Sequence, residues 1–263
     1  MSNKFNILIS SHAKANDIWY ITDHFLKKYW KANLKITLGA NGEDTKNYVP
    51  ESWEYVNNGE DISFSKSLMS YLESIDEEYF ILMLDDFIIL EEVDNVKIEK
   101  AFNFIRSNNG VYLRLVPNPK GDLRIDKDFS KIDVKSNVPY ITSLQMAIWK
   151  KEFLIKLLSY DFSPWEFEVK AGKTNESLLN SDNFYVTNYN FITYTHFVEK
   201  GKLYPFLKDL LKKEGLPLNS TRAFLSEEEL KKIRDSYLKK SIRKLLPSRY
   251  VNLIRKIIGK ESL

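Results

Sequence analysis

Cysteine is absent from all 263 residues. No disulfide and no thiolate metal site can form, which fits a reducing compartment. Long apolar runs are absent too, and no stretch approaches the roughly 18 residues of a membrane span. The apolar part of Met1–Ser10 is too short for a secretory signal and reads instead as a first strand. A cytoplasmic protein is therefore expected. Histidine is scarce, with three in the chain, so a site built on imidazole has few candidates. No internal repeat and no recognisable nucleic-acid-binding motif is present, and no nucleic-acid partner is expected.

What is present is ordinary for a globular chain: 43% hydrophobic and 29% charged residues. The length suffices for a sizeable core, as one large domain or a domain with an appendage. Aromatics reach 14%; core packing accounts for them, and exposed ones also suit sugar or lipid recognition. The net charge of +3 hides an asymmetry. Residues 231–260 hold eleven Lys and Arg against one acid, Asp235. That segment carries +10 and the remainder −7, a two-part object. The expected division is a domain over 1–215 and a basic helical tail over 216–263.

Phe5–Ser10 reads as a strand, Ser10–Asp17 as a polar loop, and Ile18–Lys31 as a helix capped by Asp17. Leu34–Leu38 is a second strand, closed by Gly39-Ala40-Asn41-Gly42. Strand, helix and strand at this spacing predict a βαβ unit and a parallel sheet. Phe64–Ile75 and Val96–Arg106 have helical spacing. Val111–Val116 and Tyr140–Trp149 read as strands, with 122–138 polar and irregular between them. Lys151–Leu158 and Leu203–Lys213 read as helices, and Phe184–Phe197 is β-rich.

The segment Tyr79–Leu90 is the most informative. Two adjacent carboxylates, Asp85 and Asp86, interrupt an apolar run. Charges enter such a run when paired, metal-bound or at a strand end. A strand ending in acids at the carboxyl edge of an open α/β sheet points at a ligand crevice. One reading is a site for Mg²⁺ or Mn²⁺, which take carboxylate oxygens and keep substrate phosphates as further ligands. The other is a strand end with two solvated acids. The loops after the first two strands place Ser10, His12, Lys14 and Asn41 on the edge where α/β proteins bind nucleotides.

Ser163-Pro164-Trp165-Glu166-Phe167-Glu168 opens a helix. A capping box explains Glu166. A general base beside aromatic walls, with its pKa raised, is the competing reading for Glu166 and for Glu168. His196 ends a β-rich stretch as a structural side chain or as a metal or diphosphate ligand. Lys200 beside it is either a phosphate contact or surface charge. His24 falls inside the first helix with no function indicated. The tail forms two short basic amphipathic helices, 239–246 and 249–258. They suit an anionic membrane surface, nucleic acid, or simple docking with a solvated basic face.

In this order the pieces resemble nucleotide-sugar glycosyltransferases of the GT-A fold, notably those that build bacterial surface polysaccharides. The resemblance spans roughly residues 5–215. It implies an α/β fold with a mixed, mostly parallel central sheet flanked by helices. Leu84-Asp85-Asp86-Phe87 stands where that family has its acidic metal and diphosphate motif. Trp165-Glu166-Phe167-Glu168 stands for its general-base motif, with Glu166 foremost, and His196 for a late metal or diphosphate ligand. The resemblance further implies a divalent metal (Mn²⁺ or Mg²⁺), a nucleotide-sugar donor with a UDP-sugar foremost, and a glycan or lipid-linked acceptor in polysaccharide or lipopolysaccharide synthesis. The tail resembles peripheral-membrane ends. A nucleotidyltransferase uses the same sheet and metal, but Ser10–Asp17 lacks the glycines of its phosphate loop. A non-catalytic carbohydrate- or membrane-binding module is the remaining alternative.

Overall fold

The computed structural model describes residues 4–134, 140–171 and 183–235. The tail helices expected over 239–246 and 249–258 lie outside those residues. The chain divides into two units, Met1–Phe197 and Val198–Leu263. Among the described residues no helix is long and apolar enough to cross a membrane.

The first unit is built on a nine-stranded sheet. Its strands are β1 (Lys4–His12), β2 (Asn33–Asn41), β3 (Trp53–Val56), β4 (Tyr79–Leu84), β6 (Tyr112–Arg114), β7 (Leu123–Arg124), β8 (Phe129–Lys131), β9 (Ala147–Lys150) and β10 (Phe184–Thr187). Their order is β3-β2-β1-β4-β9-β6-β10-β8-β7. The pairing directions leave β8 and β9 reversed and the other seven strands running one way. This is the expected α/β architecture with a mixed, mostly parallel sheet. From β1 the chain first builds outward to β2 and β3, then returns to place β4 on the other side. The order therefore reverses between β1 and β4, and a crevice opens at their carboxyl ends.

Helices α1 (Trp19–Tyr29), α2 (Phe64–Leu72), α3 (Asn95–Ser107), α4 (Lys151–Leu158) and α5 (Pro164–Lys170) flank the sheet. Strand alternation sorts the two faces. Leu8, Phe80 and Leu82 join Tyr71, Trp149, Leu154 and Phe167 in one core cluster. Phe5, one strand residue out of that phase, stacks on Phe102 at 5.8 Å and meets Trp30 at 6.4 Å. With apolar layers on both sides, β1 and β4 carry almost unbroken apolar runs rather than polar alternation. Caps fall where small polar residues precede helices: Ser63 accepts from the Lys66 N–H, and Asp94 from those of Val96 and Lys97.

Four expectations shift. The first strand continues through Ser10 and Ser11 to His12, because its register with β2 holds to Asn41. The Tyr79–Leu90 run breaks at Asp85-Asp86; Phe87–Ile89 forms β5, paired antiparallel with β11 (Tyr194–His196) in a separate ribbon. Residues 122–138, read as irregular, hold the β7–β8 hairpin, too short to show periodicity. Only Ala147–Lys150 of the expected 140–149 strand joins the sheet.

In the second unit, β12 (Val198–Glu199) and β13 (Lys202–Leu203) form a hairpin, followed by α6 (Phe206–Glu214), which ends at left-handed Gly215. Leu203 exchanges backbone hydrogen bonds with Ala223 and Leu225, and residues 227–235 are helical. The expected division at 215/216 falls inside this unit.

Tight packing at β2 positions the site. A Cβ on Gly39 would lie 2.2 Å from Cγ of fully buried Tyr71. Gly39→Ala should cost about 1–3 kcal/mol in urea denaturation; a loss below roughly 0.5 kcal/mol would show that the Tyr71 ring can move aside.

Candidate functional site

The carboxyl ends of β1, β2 and β4 meet in a polar network. Ser11 follows strand alternation away from Ser10 and faces α1. Its Oγ donates to Asp85 Oδ2 at 2.5 Å and accepts from Trp19 Nε1 at 2.8 Å. Trp19 is fully buried, and the indole N–H makes the serine proton point at the carboxylate. Thr22, one turn along α1, donates to the Asp85 backbone carbonyl at 2.6 Å. One helix thus holds the Asp85 carbonyl directly and its carboxylate through Ser11.

From the other face, Tyr71 Oη donates to the Ser11 carbonyl at 3.3 Å and accepts the Asn41 N–H at 2.8 Å. Burial pushes the Tyr71 phenol up to about 12, so it keeps its proton and remains a donor. Asn41 is buried at 3% exposure, and its Oδ1 accepts from the Asn58 N–H at 2.9 Å. Its amide is spent tying the 57–59 loop to β2. Ser10 is likewise buried, in register with Gly39 and Leu84. Ser10 and Asn41 are thus buried at the strand ends, and Ser11 is the residue bonded to Asp85.

Asp86 occupies the turn between β4 and β5, half-buried, with Oδ1 out of solvent contact. Ribbon pairing brings His196 opposite Phe87, and the Phe197 N–H donates to the Asp86 carbonyl at 3.0 Å. Residues 110 positions apart thus converge on one turn. Tyr194 packs on Phe87 at 4.6 Å and accepts the Met146 N–H at 3.2 Å. Burial, with a smaller contribution from the Asp86 charge, raises the Tyr194 phenol far above its ordinary value. No group of three or more His, Asp or Glu that could by itself cage a metal occurs among the described residues.

A pocket of about 290 Å³ opens at the carboxyl ends of β1 and β2. His12, Ala13 and Lys14 line it from the loop after β1, and Gly42 and Glu43 from the loop after β2. His12 Nδ1 accepts the Lys14 N–H at 3.0 Å, which leaves the proton on Nε2, 3.1 Å from Asp61 Oδ2.

The helix-opening acids take other parts. Ser163 and Glu166 form the reciprocal capping box. Lys170 first, then the Ser163 backbone and hydroxyl, hold the Glu166 carboxyl down at about 2. The aromatic walls expected to raise it are missing, since Trp165 is 64% exposed and Phe167 points into the core. Its hydrogen bonds thus oppose the expected base role. Glu168 Oε1 accepts the Leu144 N–H at 2.9 Å, fixing the 140–146 segment that leads to β9. Buried Arg114 fastens the same segment by donating to the Tyr140 carbonyl at 2.7 Å, and reaches the Pro119 carbonyl at 3.0 Å. In the second unit, Lys200 and Gly201 both have positive φ and form the two-residue turn of the β12–β13 hairpin.

Ser11, Trp19, Thr22, Tyr71, Tyr194 and Arg114 were not identified from sequence as site-forming. Carrying β1 alternation two residues further would have exposed Ser11 as the partner of the acids. The others depend on helix and ribbon placement that no local pattern records.

No protein-family model matches the chain, and no curated protein matches it. Among solved structures it is similar to S. aureus TarS 1–349 in complex with UDP, at 12% identity and TM-score 0.43, over 70% of this chain and 57% of that one. It is also similar to CMP:2-keto-3-deoxy-manno-octonic acid synthetase complexed with CTP, at 11% identity and TM-score 0.48, over 82% of this chain and 100% of that one. A third is UTP-bound UGPase from Acinetobacter baumannii, at 8% identity and TM-score 0.40, over 74% and 88%. The chain spans little more than half of TarS 1–349. Likeness at this level assigns no activity to the chain.

Replacing Ser11 by Ala strands the buried Trp19 N–H. It should cost about 1–3 kcal/mol in urea denaturation, and much less in a Trp19→Phe background. Equal costs in both backgrounds would show that the indole does not depend on the serine.

Proposed function

We propose that this chain is a sugar-nucleotide-dependent glycosyltransferase whose donor binds at the carboxyl ends of β1 and β4. The observation that supports it most is the pair Asp85-Asp86 on the turn after β4, with Asp85 bonded to Ser11 of β1, and a pocket lined by His12 and Gly42 at the ends of β1 and β2. The pocket volume is at the low end for ligand sites, roughly 300 Å³ upward. It suits a nucleobase and part of its ribose, with the diphosphate extending toward the acids.

Two adjacent carboxylates would repel a diphosphate unless a cation stood between them. Asp85 and Asp86 offer hard oxygen donors, and Mg²⁺ or Mn²⁺ is commonly held by one or two carboxylates plus substrate phosphates and water. The two carboxylates fit that manner of binding, and backbone pairing sets His196 opposite Phe87, the residue after Asp86. When bound, such a cation neutralises charge that develops on the leaving diphosphate. The chain's own part is to orient: Trp19 and Ser11 set the rotamer of Asp85, Thr22 fixes its backbone, and the β5–β11 ribbon fixes Asp86. Glu168 serves by positioning the 140–146 segment along the same sheet edge. The membrane tail remains part of the proposal as a tether toward a lipid-linked acceptor.

Thermal unfolding with a nucleotide panel tests the assignment. At a hundredfold excess over Kd, a uridine or other nucleoside diphosphate with Mn²⁺ should raise Tm by about 5–10 °C. Asp85→Asn/Asp86→Asn should lose that shift while folding normally. With donor sugar supplied, the released product should be nucleoside diphosphate. Pyrophosphate release would turn the reading to nucleotidyl transfer, and no shift with any nucleotide would remove it.

A further inference from the structure

A second pocket, of about 380 Å³, lies on the same sheet edge at the carboxyl ends of β6 and β10. Lys120, Arg124 and Lys127 line it together with Ser130, Thr187 and Tyr189. The wall approaches closely because residue 121 is glycine: a Cβ there would fall 2.5 Å from Ser130 Cβ and 2.8 Å from Val186 Cγ1. Only a glycine lets the segment carrying Lys120 press onto β8 and β10.

The acids nearby are already engaged. Asp126 Oδ1 accepts the N–H groups of Asp128 and Phe129, both at 2.7 Å. Asp122 Oδ2 accepts the Asp133 N–H at 2.7 Å. Asp128 is bound by Lys100 and by the Tyr189 hydroxyl at 2.8 Å. None of Lys120, Arg124 and Lys127 forms a salt bridge among the described residues. Arg124 makes one hydrogen bond through Nε, to the Asp126 carbonyl at 3.0 Å, which leaves its terminal nitrogens for a ligand. Thr187 points the same way: it is fully buried, and its Oγ1 has no hydrogen-bond partner among the described residues. A buried hydroxyl without a protein partner can be satisfied by a water or by an oxygen of a ligand.

Three cations and a waiting hydroxyl form a recognition set for a tetrahedral oxyanion. We infer that this pocket is a subsite for a phosphate group carried by the second substrate, so that the acceptor is a phosphate-bearing molecule. The assignment to an acceptor rests on the transferase reading; the oxyanion chemistry does not. Three strand spacings separate β10 from β4, about 14 Å, which leaves room for acceptor atoms between the phosphate and the donor. A neutral glycan would leave the three charges without a counterpart.

Calorimetric titration of the full chain tests this, at about 50 mM salt so that phosphate contacts are not screened. The probes are inorganic phosphate, glycerol 3-phosphate, and uridine diphosphate with Mn²⁺. The variants are Lys120→Gln/Arg124→Gln/Lys127→Gln and Thr187→Val, each checked for native circular dichroism. Glycerol 3-phosphate should bind more tightly than inorganic phosphate. The triple variant should weaken it at least about tenfold and Thr187→Val severalfold, with the affinity for uridine diphosphate unchanged. Unaltered glycerol 3-phosphate affinity in the triple variant overturns the subsite. Equal affinity for ester and free phosphate overturns its assignment to an organic substrate. A parallel loss of uridine diphosphate binding overturns its separateness from the donor site. If uridine diphosphate fails to bind the native chain while the ester behaves as expected, the oxyanion subsite stands and the transferase reading falls.

Discussion

Between the Trp19 indole and the Asp85 carboxylate stands one hydroxyl, that of Ser11, and it joins three elements that the chain makes far apart. Strand β1 supplies the serine, α1 the indole and the turn after β4 the acid. The Ser11 backbone is gripped on the opposite side by Tyr71, which also holds the end of β2. Every donor in this set is buried or half-buried, so each is costly to leave unpaired. The network therefore selects one arrangement of strand ends at the point where sheet order reverses. The crevice there, and the aim of the Asp85 carboxylate, follow from it.

Much of this was legible in the chain and some was not. The βαβ start, the helices and the acid-ended strand all follow from local periodicity, because β1 and β4 are apolar on both faces and α1 and α2 on one. The pairing of Tyr194–His196 with β5, just after Asp85-Asp86, has no local signature, because the link is a three-residue ribbon. At Ser10 and Asn41 the sequence is silent on burial, because a polar residue at a strand end looks the same whether it faces a ligand or a neighbouring helix. Glu166 is the reverse case. Its spacing from Ser163 already spelled a capping box, and the adjacent Trp165 was assumed to shield it. Helical geometry turns that ring to solvent instead and leaves Lys170 beside the carboxylate.

Charge divides the sheet edge into two territories. Near β1 and β4 the edge holds Asp85 and Asp86 on the turn after β4, Asp61 against His12, and a small pocket lined by both Glu43 and Lys14. Near β6, β8 and β10 it is basic, since local acids are consumed by turn N–H groups and by Lys100. An anion approaching the first territory needs a cation with it; one approaching the second does not. The proposed transfer between a nucleotide sugar and a phosphate-bearing acceptor would use both. Arg114 and Glu168 hold the segment that lies between them, so the two territories keep a fixed spacing.

The central claim concerns where a nucleotide sits. A crystal structure of the chain soaked with uridine diphosphate and Mn²⁺ addresses it directly. The account predicts the base beside His12 and Gly42 and the diphosphate against Asp85 and Asp86, with anomalous scattering from manganese at that turn. Nucleotide density in the Lys120–Arg124 pocket, with none at the β1–β4 crevice, would contradict it.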